Sequence, residues 1–304
     1  MKNSRTVAKL PGARNAPAFL NAAVFRIARR MRTPHKARMF ALGGDAFPND
    51  TQSLRTALTR GAGLPGAREG AVTIEGDFPS LEILRMNLTG VRLDARTPLA
   101  TAPENAAGGF FARTLCIAAE PALLASVPIQ VRLDAEDCVF AFGTAADGTR
   151  TASLQSCTKG TLDASAAAAD LQGALLALAR DAASAQGAEV ESVRLTLDAE
   201  SPRRIAVTAV AVAKAMFFTA TLTIRGRIGM DAEFNVRLSD ATCKGDGMIA
   251  NLAAAQLRPR LVELEARTFS IRSFLPSGLQ PGDVTLTGGA ALRILATFGG
   301  KIKT

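Results

Sequence analysis

The chain has 304 residues, of which 48% are hydrophobic and 21% are charged, so it can bury a sizeable core and is not intrinsically disordered as a whole. It contains no Trp, no Tyr, one His and four widely spaced Cys. That inventory disfavours the commonest metal sites and most His-dependent catalysis. The sequence therefore predicts no catalytic residue, no metal site and no cofactor.

The net charge of +9 is concentrated in residues 1–44, which hold ten of the 36 basic residues and no Asp or Glu. The remaining residues carry 26 basic and 27 acidic side chains. A nucleic-acid-binding domain usually presents a basic surface, often with stacking aromatic rings, on its folded body. This body is near neutral and has Phe but no Tyr or Trp. We therefore expect no nucleic-acid partner, and we divide the chain into a basic leader, 1–44, and a single folded domain, 45–304.

Within the leader, Ala18 to Arg32 predicts a basic amphipathic helix, which Pro34 ends. Three interpretations stay open: an organelle transit peptide, a permanent membrane-surface anchor, and an ordinary N-terminal helix with a solvated basic face. The first places the protein in a plastid or mitochondrion; otherwise we expect it in the cytoplasm, peripheral to a membrane. The only His, His35, also lies in the leader, outside the predicted fold. The candidate membrane-surface residues are Arg26, Arg29, Arg30 and Arg32.

A short helix over residues 51–61 follows the leader, with Asp50 or Thr51 as its predicted N-cap. Its apolar face is formed by Leu54, Ala57 and Leu58. The glycines of 61–66 match the pattern G-x-G-x-x-G, but a dinucleotide loop follows a strand and opens a helix. Here the glycines follow a helix and precede a strand, so we interpret them as a linker.

Beyond the linker, apolar and polar residues alternate with period two, which predicts strands over 72–75, 84–93, 129–136, 193–198, 234–239 and 292–298. Two predicted helices interrupt the strands, one over 161–186 and one over 248–258, the second ending before Pro259. The first carries an apolar stripe of Leu171, Leu175, Leu178 and Ala182. Strands with one apolar and one polar face are typical of an antiparallel sheet with one face in water. We expect an α+β fold in which a long, curved antiparallel sheet wraps two or three helices.

The apolar segment 205–224 is long enough to span a bilayer, but it carries Lys214 at its middle. A central Lys costs about 2.5–3.5 kcal/mol on the insertion scale, and the segment is rich in the strand formers Val and Thr. Two consecutive strands are therefore favoured over a membrane span.

Large apolar residues cluster in two places along the second half of the chain. Core packing explains most such residues, yet an open, curved sheet with helices on one face can leave an apolar groove that binds acyl chains without catalytic groups. The candidate groove residues are Met216, Phe217, Phe218, Phe269, Phe274 and Leu275.

The chain resembles the bacterial and plastid LmeA-like phospholipid-binding family (the DUF2993 domain), whose members are similar to tubular lipid-binding, or TULIP, proteins. The matching pieces are the initial helix with residues 72–95, the helix opening at Asp170-Leu171-Gln172, the paired strands of 190–238 and the closing segment 269–298. The resemblance implies a TULIP-like fold and a lipid ligand. A secreted member carries a signal peptide, whereas this chain has a basic leader.

These observations lead to the hypothesis of a non-catalytic protein that binds, or transfers, a phospholipid or other acyl lipid at a membrane surface. The first alternative is a structural or assembly factor that binds a protein partner through its sheet face. The second is an enzyme that uses acidic residues alone, with Asp134 and Glu136 on one polar strand face.

Overall fold

A computed structural model shows the fold of the chain. The four leader arginines lie outside the residues that it describes, and none of the helices it describes is long and apolar enough to cross a membrane. The described residues are 42–43, 46–61, 70–93, 108–124, 127–144, 148, 150–184, 189–215, 218–270 and 281–299.

The described chain is mostly strand, with three helices, and has an α+β fold. The helices are α1 Thr51–Gly61, α2 Ala168–Ser184 and α3 Met248–Glu265. The strands are β1 Val72–Asp77, β2 Ser80–Asn87, β3 Arg92–Leu93, β4 Gly109–Leu124, β5 Val127–Thr144, β6 Arg150–Ser156, β7 Lys159–Ala167, β8 Glu189–Ser201, β9 Arg204–Ala215, β10 Phe218–Met230, β11 Asn235–Asp246, β12 Thr268–Ser270, β13 Pro281–Thr287 and β14 Ala291–Phe298.

The larger sheet has nine strands in the order β1-β2-β4-β5-β7-β14-β13, with β3 beside β4 and β6 beside β5. Its neighbours are antiparallel except that β2 and β3 run parallel to β4. Leu84 of β2, Leu115 of β4 and Ala135 of β5 lie side by side in register and are all buried. They belong to the largest core cluster of the described residues.

Helix α1 covers this core, as its amphipathic sequence predicts. The N–H of Ser53 donates a hydrogen bond of 2.7 Å to the Asp50 carboxylate, which confirms Asp50 as the cap. Leu54 and Leu58 are 0% and 1% exposed. The predicted helix and its buried face are therefore confirmed.

The smaller sheet has five antiparallel strands in the order β12-β11-β10-β9-β8. β9 and β10 pair with each other, so residues 205–215 and 218–224 lie in two consecutive strands, as predicted. The two sheets meet where the Leu286 N–H of β13 donates a 2.7 Å hydrogen bond to the Pro202 carbonyl in the β8–β9 turn. Beside that bond, Leu197, Ile205 and Leu286 form a buried cluster.

Three features differ from expectation. The described strands form two sheets rather than one, because α2 carries the chain away from β7 and β8 starts a new ladder. Residues 161–167, predicted as helix, belong to β7; their run of small residues has no clear period, and pairing with β14 decides the conformation. Helix α3 continues past Pro259, which is exposed, so the carbonyl freed by the missing N–H can bond to water.

Candidate functional site

One face of the five-stranded sheet is apolar across the strands β8 to β10. In an antiparallel ladder, residues that pair directly point to the same face. Val193 pairs with Ala211, and Ala211 pairs with Leu222, so these three side chains form one row. Leu195, Ala209 and Ile224 form the next row in the same way. We call this surface the inner face, because α2, α3 and the nine-stranded sheet all pack on it.

Helix α2 covers the β8 side of the inner face. Its side chains pack on Val190 and Val193, and two polar side chains hold it in register. The Leu195 N–H donates a 3.0 Å hydrogen bond to the Gln172 side-chain oxygen, and the Arg180 guanidinium donates one of 3.0 Å to the Val190 carbonyl. The helix is therefore fixed near both of its ends. The packed residues are Leu175, Leu176, Ala179 and Ala183.

Helix α3 covers the β10–β11 side of the same face. Ala254, Leu257 and Leu261 pack on Leu222 and Cys243, and all five are buried. Near the end of the helix, the Glu265 carboxylate accepts a 2.6 Å hydrogen bond from the N–H of Ala241. Burial raises the pKa of the Cys243 thiol to about 11, so this thiol carries no charge at neutral pH.

Between the two helices, the inner face is lined by alanine and stays partly exposed. Ala209, Ala211 and Ala213 of β9 and Ala220 of β10 are only partly buried, and Ala211 and Ala213 also pack against the cluster under α2. Because a methyl side chain fills little space, this row of alanines fills the face less than larger side chains would. We call this strip of alanines the trough.

The α2 wall of the trough is a row of leucines. Leu171, Leu175 and Leu178 project from one flank of the helix, and all three are only partly buried. Leu171 packs against the buried cluster of Leu197, Ile205 and Leu286, as do Leu292 and Ile294 of β14, so the nine-stranded sheet reaches that end of the wall. None of the four floor and three wall side chains is ionisable.

The trough is closed at one end and reaches the end of a hairpin at the other. The closed end is the buried cluster of Leu197, Ile205 and Leu286 that joins the sheets. The other end is the row in which Ala213 pairs with Ala220, close to the last residue of β9 and the first residue of β10. From Val207 to Ala213 the floor extends about 20 Å at the usual strand rise, the scale of an extended fatty-acyl chain.

The structure separates the two groove candidates whose backbone it describes. Phe218 starts β10 and pairs with Ala215 at the hairpin end of the floor. Phe269 pairs with Val236, which pairs with Met230 at the far end of β10, about 40 Å away at the usual strand rise. The other four candidates lie outside the described residues: Met216, Phe217, Phe274 and Leu275.

Acidic residues proposed for an alternative site lie on the outer face of the nine-stranded sheet. The Arg132 guanidinium is 2.7 Å from the Asp134 carboxylate, and the Lys159 ammonium is 3.9 Å from that of Glu136. In the described part of the chain, no group of three or more His, Cys, Asp or Glu is arranged to hold a metal ion.

Sequence reasoning selected large side chains and missed the alanines of the floor. A usable signal was present, because Ala209, Ala211 and Ala213 recur at every second position of a predicted strand. Small residues repeated on one face of a strand indicate a place where the face is not filled by its own side chains.

Comparisons with protein-family models, with curated proteins and with solved structures found no match for the chain.

Proposed function

We propose that this protein binds a phospholipid or other acyl lipid without catalysis, with an acyl chain in the trough and the head group at its rim. The observation that carries the proposal is the partly exposed alanine floor of Ala209, Ala211 and Ala213 between two helices.

The physical chemistry of the trough suits an acyl chain. Its floor and α2 wall offer apolar surface and no ionisable side chain, and each methylene group removed from water contributes about 0.8 kcal/mol. The wall leucines Leu171, Leu175 and Leu178 are partly exposed and would line one side of a bound chain. A polar substrate would find few partners here, which is why a lipid is favoured over a soluble metabolite.

The arrangement of the sheets also supports a TULIP-like interpretation of the fold. Both sheets contribute to the surroundings of α2, as in a wrapped, tubular lipid-binding domain. In this proposal the leader, with Arg26, Arg29, Arg30 and Arg32, directs import into a plastid or mitochondrion or docks on anionic lipid. The protein then acts at a membrane surface, as a carrier or a holder of lipid.

The test is organic extraction and mass spectrometry of lipid that co-purifies with the full chain, compared between two variants. Ala209→Phe places a ring in the trough, whereas Val210→Phe places the same ring on the opposite face of the same strand, so it is the matched control. We expect a defined lipid near one per chain in wild type and Val210→Phe, and at least a tenfold loss in Ala209→Phe.

The result is interpreted only when both variants keep the circular dichroism spectrum and melting temperature of the wild type within a few degrees. Equal lipid in both variants would remove the trough as the binding site. A wild-type protein without lipid, also after incubation with phospholipid vesicles, would overturn the proposal in favour of a protein partner on a sheet face.

A further inference from the structure

Two cysteines, Cys138 of β5 and Cys157 directly after β6, lie in the core of the nine-stranded sheet, where the register of the flanking pairs places them opposite each other. Val139 of β5 pairs with Ser156 of β6, and the next residues outward along each strand are Cys138 and Cys157. The two residues are 0% and 4% exposed and belong to the same buried cluster. Both cysteines are free in the structure.

The local backbone keeps these two residues opposite each other. Asp137 adopts a φ of 52°, and just beyond it the Thr158 N–H donates a 3.0 Å hydrogen bond to the Glu136 carbonyl. The cysteines are therefore held between two points of pairing between the same chain segments. Directly opposed residues in an antiparallel pair have Cα atoms about 4.5–5.5 Å apart, within the range of about 4.4–6.8 Å that a disulfide requires.

Cys116, the third cysteine of this sheet, points the other way. It pairs with Asp134 on the outer face, and its thiol interacts with Asp134 and Arg85 there. Cys243 lies under α3 on the other sheet. Cys138 and Cys157 are thus the pair that the fold places together among the four.

We propose that Cys138 and Cys157 form a disulfide when the chain folds in the presence of a disulfide oxidant such as oxidised glutathione. The two thiols lose two protons and two electrons, one sulfur–sulfur bond forms, and the oxidant is reduced to two molecules of glutathione. The bond closes a loop between β5 and β6 and ties β6 to the sheet. Within the described residues, β6 pairs with β5 alone.

The reaction is expected during folding rather than in the finished protein. Burial raises the pKa of both thiols, that of Cys138 to about 12, so little thiolate exists in the native state. Exchange with an oxidant also needs access to the sulfur, which the closed core denies. Opening of β6, or refolding, removes both obstacles.

The experiment refolds the full chain from denaturant in a glutathione redox buffer and maps its peptides by mass spectrometry without reduction. We expect one cross-linked peptide pair, Cys138 with Cys157, and a melting temperature about 5–10 °C above that of the reduced protein. Native protein given the same oxidant forms the link much more slowly.

Variants separate this bond from other oxidation. Cys157→Ala removes the cross-link and the rise in melting temperature, whereas Cys243→Ala, a buried cysteine on the other sheet, leaves both. Peptide mapping of the wild type gives the answer by itself if Cys157→Ala does not fold. Two free thiols after oxidative refolding, a link through Cys116, or a linked protein without a higher melting temperature would overturn the proposal.

Discussion

The two sheets use the same alternation of apolar and polar residues, but they fill their inner faces differently. Under α1, the nine-stranded sheet packs large rings: those of Phe47 and Phe142 stack 5.6 Å apart, and those of Phe110 and Phe140 stack 4.5 Å apart. On the five-stranded sheet, the matching position between α2 and α3 is a row of alanines that stays partly exposed. The first region is closed by its own side chains, and the second leaves space.

The difference shows that side-chain size, rather than pattern, separates a structural core from a candidate binding site in this molecule. Burial of large groups stabilises the first region, and removing them leaves cavities. In the trough, unfilled space is what a ligand would occupy, so a larger side chain there should reduce ligand binding. Truncation of a large side chain in the first region should therefore lower the free energy of unfolding. A larger side chain in the trough should instead lower the amount of bound ligand.

The largest effect is expected from Phe142→Ala, in the closed core. Phe142 is 2% exposed and its ring meets those of Phe47, Phe78 and Phe110, so truncation should cost about 3–5 kcal/mol of unfolding free energy. Urea denaturation measures it. On the same strand, Val139 is 43% exposed, and Val139→Ala should change stability by less than about 0.5 kcal/mol. A loss below about 1 kcal/mol in Phe142→Ala would show that this core is not tightly packed.

An intermediate effect is expected from Gly245→Ala, where α3 rests on β11. A Cβ at Gly245 would overlap the carbonyl group of Ala250, so the first turn of α3 must move away from the sheet. We expect a loss of about 1–3 kcal/mol and a changed lipid content, because α3 borders the trough.

A glycine on the other helix is the matched control. A methyl group added at Gly173 of α2 would meet no atom of a neighbouring element within 4 Å, so Gly173→Ala should stabilise the protein by about 0.5–1 kcal/mol. Equal effects of the two substitutions, measured by urea denaturation, would contradict the close approach of α3 to the sheet.

The smallest effect is expected at the ion pair that joins β7 to β14 on the outer face. Hydrogen bonds from the Arg293 guanidinium lower the pKa of the Asp163 carboxyl below its ordinary value, against an opposing effect of burial. A lowered pKa in the folded state means that the stabilisation is complete above the unfolded pKa, about 3.9, and is lost as the pH falls through the folded value.

Asp163→Asn should therefore lower the melting temperature at pH 7 by at most about 3 °C, because the pair is partly exposed. The difference from wild type should shrink as the pH falls below about 4. Thermal melts at neutral pH and at about pH 2.5 measure it. A difference that is unchanged in acid would mean that the pair acts through packing rather than through charge.

The elements predicted correctly from the sequence are those in which the spacing of apolar residues fits a helix or a strand but not both. Leu54, Ala57 and Leu58 fit a helix and no strand, and the Val and Thr residues around Lys214 fit strands better than a helix. The boundary between β7 and α2 was missed because residues 164–169 are five alanines and a serine, which fit either conformation. Pairing with β14, far along the chain, determines the conformation of these residues, and the local sequence does not contain that information.

The candidate site was harder to predict for a related reason. Phe218 and Phe269 attract attention as large apolar residues, but their distance in space depends on the register of β10 and β11, which alternation alone does not reveal. The trough is lined by small side chains. A row of alanines indicates a candidate site only when the positions of the neighbouring helices are known. Leu171, Leu175 and Leu178 were predicted as a stripe, and they form the wall.

The pairing of β7 with β14 has a consequence for the order in which the chain is made. Arg293 and Asp163, which join across these strands, are 130 residues apart, and the whole five-stranded sheet is synthesised between them. At about 5–20 residues per second, the edge of β7 waits roughly 6–25 s on the ribosome before Ala291 is added. An unpaired edge can recruit other chains, so a nascent chain of this protein is exposed to aggregation until β14 has been synthesised and has paired with β7.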